Sequence, residues 1–162
     1  MITAFEIAGT FAAHAVWSLS DGETLTPMLA YTTEEDERRM ERLVHDELGA
    51  AVEHGKQRLT SNDMDANDAV LVYDGRITID DEKHDALILE MRAYFEPDAA
   101  AILAVPYTPK ASGQFRVHTP KLLAWENCDD FDLEHAFSSF FDGVAGHEKG
   151  AAIWAQSFDD SV

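Results

Sequence analysis

The chain has 162 residues, with 31 Asp and Glu against 12 Lys and Arg, a net charge of −19, and 46% hydrophobic residues. This length suits one domain with a sizeable core, and the apolar content excludes a disordered chain. The charge disfavours ordinary contacts with nucleic acid or anionic membranes, and the lone Cys128 excludes an internal disulfide or a cysteine-rich zinc site.

Residues 2–19 place Ile2, Phe5, Ala8, Ala12, Ala15, Val16 and Leu19 at mostly helical spacing, and Asp21-Gly22 stops the pattern. No Lys or Arg precedes Arg38, and Glu6 interrupts the apolar run, so a secretory signal is not expected. Uncharged runs are also too short to span a bilayer, which predicts a soluble, cytoplasmic protein without a membrane partner. Residues 27–32 suit a short strand. From 33 to 59, Met40, Leu43, Val44, Leu48, Ala51, Val52 and Leu59 fall on one stripe, the pattern of a long amphipathic helix. Thr32 with Glu35, or Thr33 with Asp36, supplies a capping box, and the acids at 34–37 suit the positive end of the helix dipole.

After a polar loop at 61–67 the period becomes strand-like. Residues 69–73 and 76–80 flank Asp74-Gly75, which predicts a type I′ hairpin turn there. A second turn at 81–83 leads to a long strand, in which Leu87, Leu89, Met91, Ala93 and Phe95 alternate with the partly wet Ile88, Glu90, Arg92 and Tyr94. Pro97-Asp98 reverses the chain. Residues 99–107 are apolar on both faces, as in a central strand with Pro106 near its end, and 108–113 form a loop. Residues 115–118 and 122–125 read as strand, interrupted at Thr119-Pro120. Phe131, Leu133, Phe137, Phe140, Phe141 and Val144 predict a C-terminal helix capped by Asp129 or Asp130, and 151–158 fits either a last strand or a helix. The expected architecture is a single α+β domain over 1–162. It has an antiparallel sheet of about five to six strands, two N-terminal helices and one C-terminal helix, with the helices in a single layer on the sheet.

Residues 99–125 contain no Asp or Glu, and the cations of this stretch are Lys110, Arg116, His118 and Lys121. If Phe115 and Val117 point inward, Arg116 and His118 share the opposite face, flanked by the two lysines. Such a group suits a carboxylate or phosphate, although pairing with the chain's own acids is the simpler expectation. Asp63, Asp65, Asn67 and Asp74 match positions one, three, five and twelve of a calcium loop. That pattern is broken by Asp68 where glycine is needed and by Asp74 in place of a bidentate Glu, so calcium is only a weak expectation and no other cofactor is implied. Asp80, Asp81, Glu82, His84 and Asp85 crowd a turn. Cys128, seven residues before His135, reads as a tolerated thiol rather than a nucleophile. His14 reads as packed, His45, His54 and His147 as solvated, and His45 and His54 as too far apart on one helix to share a metal. Trp17, Trp125 and Trp154 read as core.

Walker, dinucleotide, nucleophile-elbow and HExxH signatures are all missing from the sequence. The leading expectation is therefore a non-enzymatic interaction protein whose acidic surface engages a basic partner, in the manner of an inhibitor or immunity factor. Residues 122–162 carry nine Asp or Glu against one Lys, which supports that reading. The alternative is a small-molecule binder or enzyme for an anionic substrate built on Arg116 and His118, and the third is mimicry of a polyanion such as DNA.

Overall fold

A computed structural model describes residues 1–95, 98–128 and 132–162. Its centre is helix α1 (Ile2–Ser20), and α1 is buried beyond one stripe: Ala4, Ile7, Gly9 and Ala13 are enclosed as well as the expected Phe5, Ala8, Ala12 and Val16. A helix apolar on nearly every side needs cover on every side. One flank packs on the sheet, against Val70, Val72, Leu87, Leu89, Met91, Leu103 and Val105. The other meets α3 (Leu133–Ala145) and α4 (Glu148–Ser157), which settles the ambiguous last segment as helix.

The approach of α3 and α4 to α1 rests on three glycines. A Cβ on Gly9 would run into the carbonyl of Phe140, one on Gly143 into the carbonyl of Glu6, and one on Gly150 into the carbonyl of Ala13. The Thr10 hydroxyl sits in this seam, 3.2 Å from the carbonyl oxygens of both Glu6 and Gly143. Phe5 and Phe140 are fully buried beside it, each side chain contributing about 2–3 kcal/mol of transfer free energy.

The sheet is antiparallel, in the order β2-β1-β3-β4-β5, with β6 and β7 both on the far side of β5. Its strands are β1 (Met28–Thr33), β2 (Arg38–Arg42), β3 (Ala66–Ile79), β4 (Glu82–Ala93), β5 (Ala99–Thr108), β6 (Arg116–Val117) and β7 (Lys121–Glu126). Between β5 and β6, Lys110–Ser112 form one 3-10 turn. Helix α2 (Leu48–Ser61) packs on the face opposite α1, over Leu29, Tyr31, Ala69 and Leu71. Among the described residues four α-helices on two faces thus replace the expected three helices in one layer.

Two expectations fail for identifiable reasons. The long helix over 33–59 survives only as α2. In its first half, Thr33 Oγ1 accepts the backbone N–H groups of Glu35 (3.3 Å) and Glu37 (3.2 Å), while Asp36 turns left-handed at φ 61°. The capping chemistry is present but closes a hairpin, and β2 then pairs with β1 from Thr32↔Arg38 to Met28↔Arg42. Val44, assigned to the apolar stripe, is 81% exposed.

The second failure is the hairpin at Asp74-Gly75. The chain runs straight through it, with Asp74 opposite Leu87 and Gly75 opposite Ala86. The turn falls at Asp80-Asp81, whose φ values of 50° and 67° supply the two positive angles a type I′ turn requires. This register sets Val70 against Met91 and Val72 against Leu89, so the apolar set of both strands faces α1. Gly75 is small for a different reason: a Cβ there would press on Ile88 Cγ1 at 3.1 Å. The expected reversal at Pro97-Asp98 and the caps Asp129 and Asp130 involve residues outside those described. The α3 cap seen is Asp132, whose carboxylate accepts the His135 N–H at 3.1 Å.

Candidate functional site

The face of the sheet away from α1 is only half covered. Its cross-strand rows follow from the register: Ala69, Arg92, Ala100 and Glu126 stand side by side, and next to them Leu71, Glu90, Ile102 and Ala124. Helix α2 lies over the β3 end of these rows and is tied there to β4 and the residue that follows it. The Tyr94 hydroxyl donates to the Leu59 carbonyl at 2.5 Å, and Lys56 Nζ lies 3.7 Å from Glu90 Oε2, which also accepts the Tyr73 hydroxyl at 2.6 Å. Burial, and then the Glu90 carboxylate, push the Tyr73 phenol pKa well up.

Towards β5 and β7 the rows fall to Ala100 and Ala124, and a cleft of about 360 Å³ opens between α2 and these strands. Its lining includes Lys56, Leu59, Arg92, Ile102, Ala124 and Trp125. That volume lies at the lower end of the ~300–1,000 Å³ range of small-molecule clefts. Arg92 is half-buried in it, with no carboxylate or hydrogen-bond partner among the described residues. Its charge is felt by its neighbour Tyr94, whose phenol is raised by burial and partly lowered again by Arg92. Several other arginines find acids: Arg58 Nη1 lies 2.7 Å from Glu41, Arg38 2.8 Å from Glu6, and Arg76 3.3 Å from Asp85.

The residues singled out from sequence are placed differently. His118 is buried, at 3% exposure, and both its ring nitrogens are engaged, Nδ1 with the Asp159 carbonyl at 2.8 Å and Nε2 with Thr108 Oγ1 at 2.9 Å. Arg116 donates to Gln114 Oε1 at 2.8 Å, Lys110 is exposed on the 3-10 turn, and Lys121 stands opposite Ala104 in β7. These four line neither the large cleft nor the smaller cavity described below, and His118 is a structural histidine joining β5 to the chain beyond α4.

The calcium pattern is also dispersed. Asp63 is held by Arg58 Nε at 3.1 Å and Asn67 Nδ2 donates to the Thr33 carbonyl at 3.2 Å. Asp65 adopts φ 50° in the turn before β3. Asp74 accepts the Tyr107 hydroxyl at 2.7 Å and lies seven extended residues from Asn67, about 23 Å along β3. Among the described residues no group of three or more His, Cys, Asp or Glu could hold a metal ion. Cys128 is buried, its thiol 3.2 Å from the Glu126 carbonyl.

Two histidine pairs were missed. His45 lies before α2 rather than within it, so its Nε2 comes 3.0 Å from His54 Nδ1. His147 caps α4, its Nδ1 accepting the Gly150 N–H at 2.9 Å. That nitrogen therefore carries no proton, and the neutral ring donates from Nε2 to His14 Nδ1 at 3.2 Å. His14 is left with Nε2–H directed at Arg42 Nη2, 3.4 Å away, beside a cavity of about 60 Å³. Burial first, then His147 and Arg42, lower the His14 pKa.

No helix among the described residues is long and apolar enough to cross a membrane. Comparisons with models of protein families, with curated proteins and with solved structures find no match to this chain.

Proposed function

We propose that the chain is a binding domain for a small molecule with an anionic head and a flat apolar body, seated in the cleft between α2, β5 and β7. One observation carries the reading: Arg92 is half-buried in a concave site and unpaired among the described residues, in a chain where acids outnumber bases 31 to 12. A desolvated guanidinium without an acceptor is costly, and an incoming carboxylate or phosphate satisfies it through paired N–H donors. Lys56, tied only loosely to Glu90, adds a second positive charge. Leu59 and Ile102 supply the apolar wall, and Ala100 and Ala124 the floor. Glu90 and Glu126 also line the cleft, and Glu90 is occupied by Lys56 at 3.7 Å and by the Tyr73 hydroxyl at 2.6 Å, which leaves Arg92 as the cation open to a ligand.

The test uses 1-anilinonaphthalene-8-sulfonate, whose sulfonate and fused rings match the two halves of the cleft. The folded protein is expected to bind it saturably with enhanced fluorescence. Arg92→Gln should weaken binding by roughly 10- to 100-fold, the range of a charge-assisted hydrogen-bond pair. Unsaturable binding, or an Arg92→Gln variant with unchanged affinity, overturns the proposal.

A second reading, engagement of a basic protein, is favoured by the hairpin tips. Residues 34–37 and 80–82 are acidic throughout, and among the described residues their ion pairs are confined to Glu37 with Arg39 at 3.0 Å and Glu82 with His84 at 4.0 Å. That association would slow steeply as salt rises, and a salt-independent on-rate would count against it.

A further inference from the structure

The sheet ends in two edges of opposite character. On β2, four of five residues are charged and exposed (Arg38, Arg39, Glu41 and Arg42). This is the charged guard that keeps an edge from adding strands. The other edge is β7, Lys-Leu-Leu-Ala-Trp-Glu, which pairs only with β5 among the described residues. Leu123 and Trp125 are 47% and 56% exposed there.

We infer that β7 pairs antiparallel with β7 of a second copy, about a two-fold axis perpendicular to the sheet. The charges at its ends are complementary under that operation, Lys121 meeting the partner's Glu126 and Glu126 meeting the partner's Lys121. The faces also match, which depends on the bulge in β7. Leu122 pairs with Leu103 and Ala124 with Ile102, so Leu123 is an extra residue that β5 does not match. Without the bulge, residues 121 and 126 would point to opposite faces. With it, Lys121 beside Ala104 and Glu126 beside Ala100 lie on one face, and the two-fold axis keeps them there. Leu122 then faces the partner's Trp125 on the other side.

The dimer does not depend on the ligand proposed above, yet it reaches the same site. Glu126 forms the far end of the Arg92 row and lines the cleft. The partner's Lys121 would neutralise it there and add a cation to the cleft rim. Six residues a side is small against the ~20–30 of a standard interface, so the dimer should be concentration-dependent.

Sedimentation velocity of the whole chain, from ~1 μM to ~1 mM, the span in which weak complexes populate, tests this. The native chain is expected to shift from monomer to dimer across the series. Lys121→Glu or Glu126→Lys alone opposes like charges at both ends and should weaken dimerisation at least ~10-fold, while the double exchange restores it to within ~3-fold of native. A monomer at every concentration, a dimer indifferent to either single reversal, or a double variant no better than the singles each overturns the inference. Binding of the naphthalene sulfonate by a strictly monomeric chain would leave the ligand reading standing while the dimer fell.

Discussion

The two sides of the sheet use small residues to opposite effect. On the α1 side, in the seam between α1 and the pair α3 and α4, glycine lets helix backbones close on one another: Gly9, Gly143 and Gly150 sit where any Cβ would strike a carbonyl. On the other face Ala100 and Ala124 have no helix above them beyond α2, and their missing bulk becomes a cleft floor. Small side chains therefore predict closeness only where another element arrives to use the space. Ala100 and Ala101, adjacent in β5, fall on either side of this divide, Ala101 in the main core and Ala100 in the cleft.

The sharpest way to break the contrast is Gly143→Val, which forces side-chain atoms into the Glu6 carbonyl. A loss of about 4 kcal/mol or more is expected in denaturant titration, and a fold that tolerates it would mean the seam is looser than its geometry. Ala101→Leu overpacks the same side and should cost about 1–3 kcal/mol.

Acid probes the α1–α4 contact. The unfolded chain takes up a proton at His14 near pH 6.5, its ordinary value, while the folded chain resists it. Stability is therefore complete above that pH and declines as pH falls through it. The groups facing His14 are His147, Arg42 and Trp17, and Lys149 lies over the Trp17 ring at 4.7 Å. Melting temperatures recorded between about pH 7.5 and 5.5 should fall less for His14→Gln than for the native chain. An identical fall in both assigns the effect elsewhere.

Thr32 continues the alternation of Met28 and Ala30 towards α1, and its hydroxyl is buried without a partner among the described residues. Thr32→Val should therefore gain about 1 kcal/mol, and a loss would reveal an acceptor. The smallest effect is expected for Ala100→Leu, at most about 0.5 kcal/mol, because the added atoms enter open space. The same substitution should abolish naphthalene sulfonate binding, so a change in stability without a change in binding would refute the cleft.

Alternation made β4 legible, because a face buried against a helix must repeat every second residue, and it also placed Arg92 on the wetter side; β5 was legible instead as a run apolar on both faces. What it could not show was that α2 stops short of Arg92, since that depends on where α2 begins. The acids at 34–37 satisfy a helix N-terminus and a hairpin tip by the same bond, a Thr oxygen accepting nearby N–H groups. Local chemistry did not choose between them; pairing of β2 with β1 did. Asp74-Gly75 misled similarly, because turn propensity is local while register is decided by which apolar set reaches α1. The basic segment drew attention by its charge, but charge alone does not reveal burial, and His118 proved to be bound on both nitrogens. Arg92 carried a weaker signal that was nonetheless readable: a guanidinium sharing a strand face with Ile88 and Tyr94, next to a strand rich in alanine.

The Thr10 contact with Gly143 joins residues 133 positions apart. During synthesis at about 5–20 residues per second, α1 leaves the ribosome on the order of ten seconds before the helix that closes over it. For that interval the most apolar segment of the molecule has sheet on one flank at best. A nascent chain so arranged completes its core late, by long-range closure rather than in order of emergence.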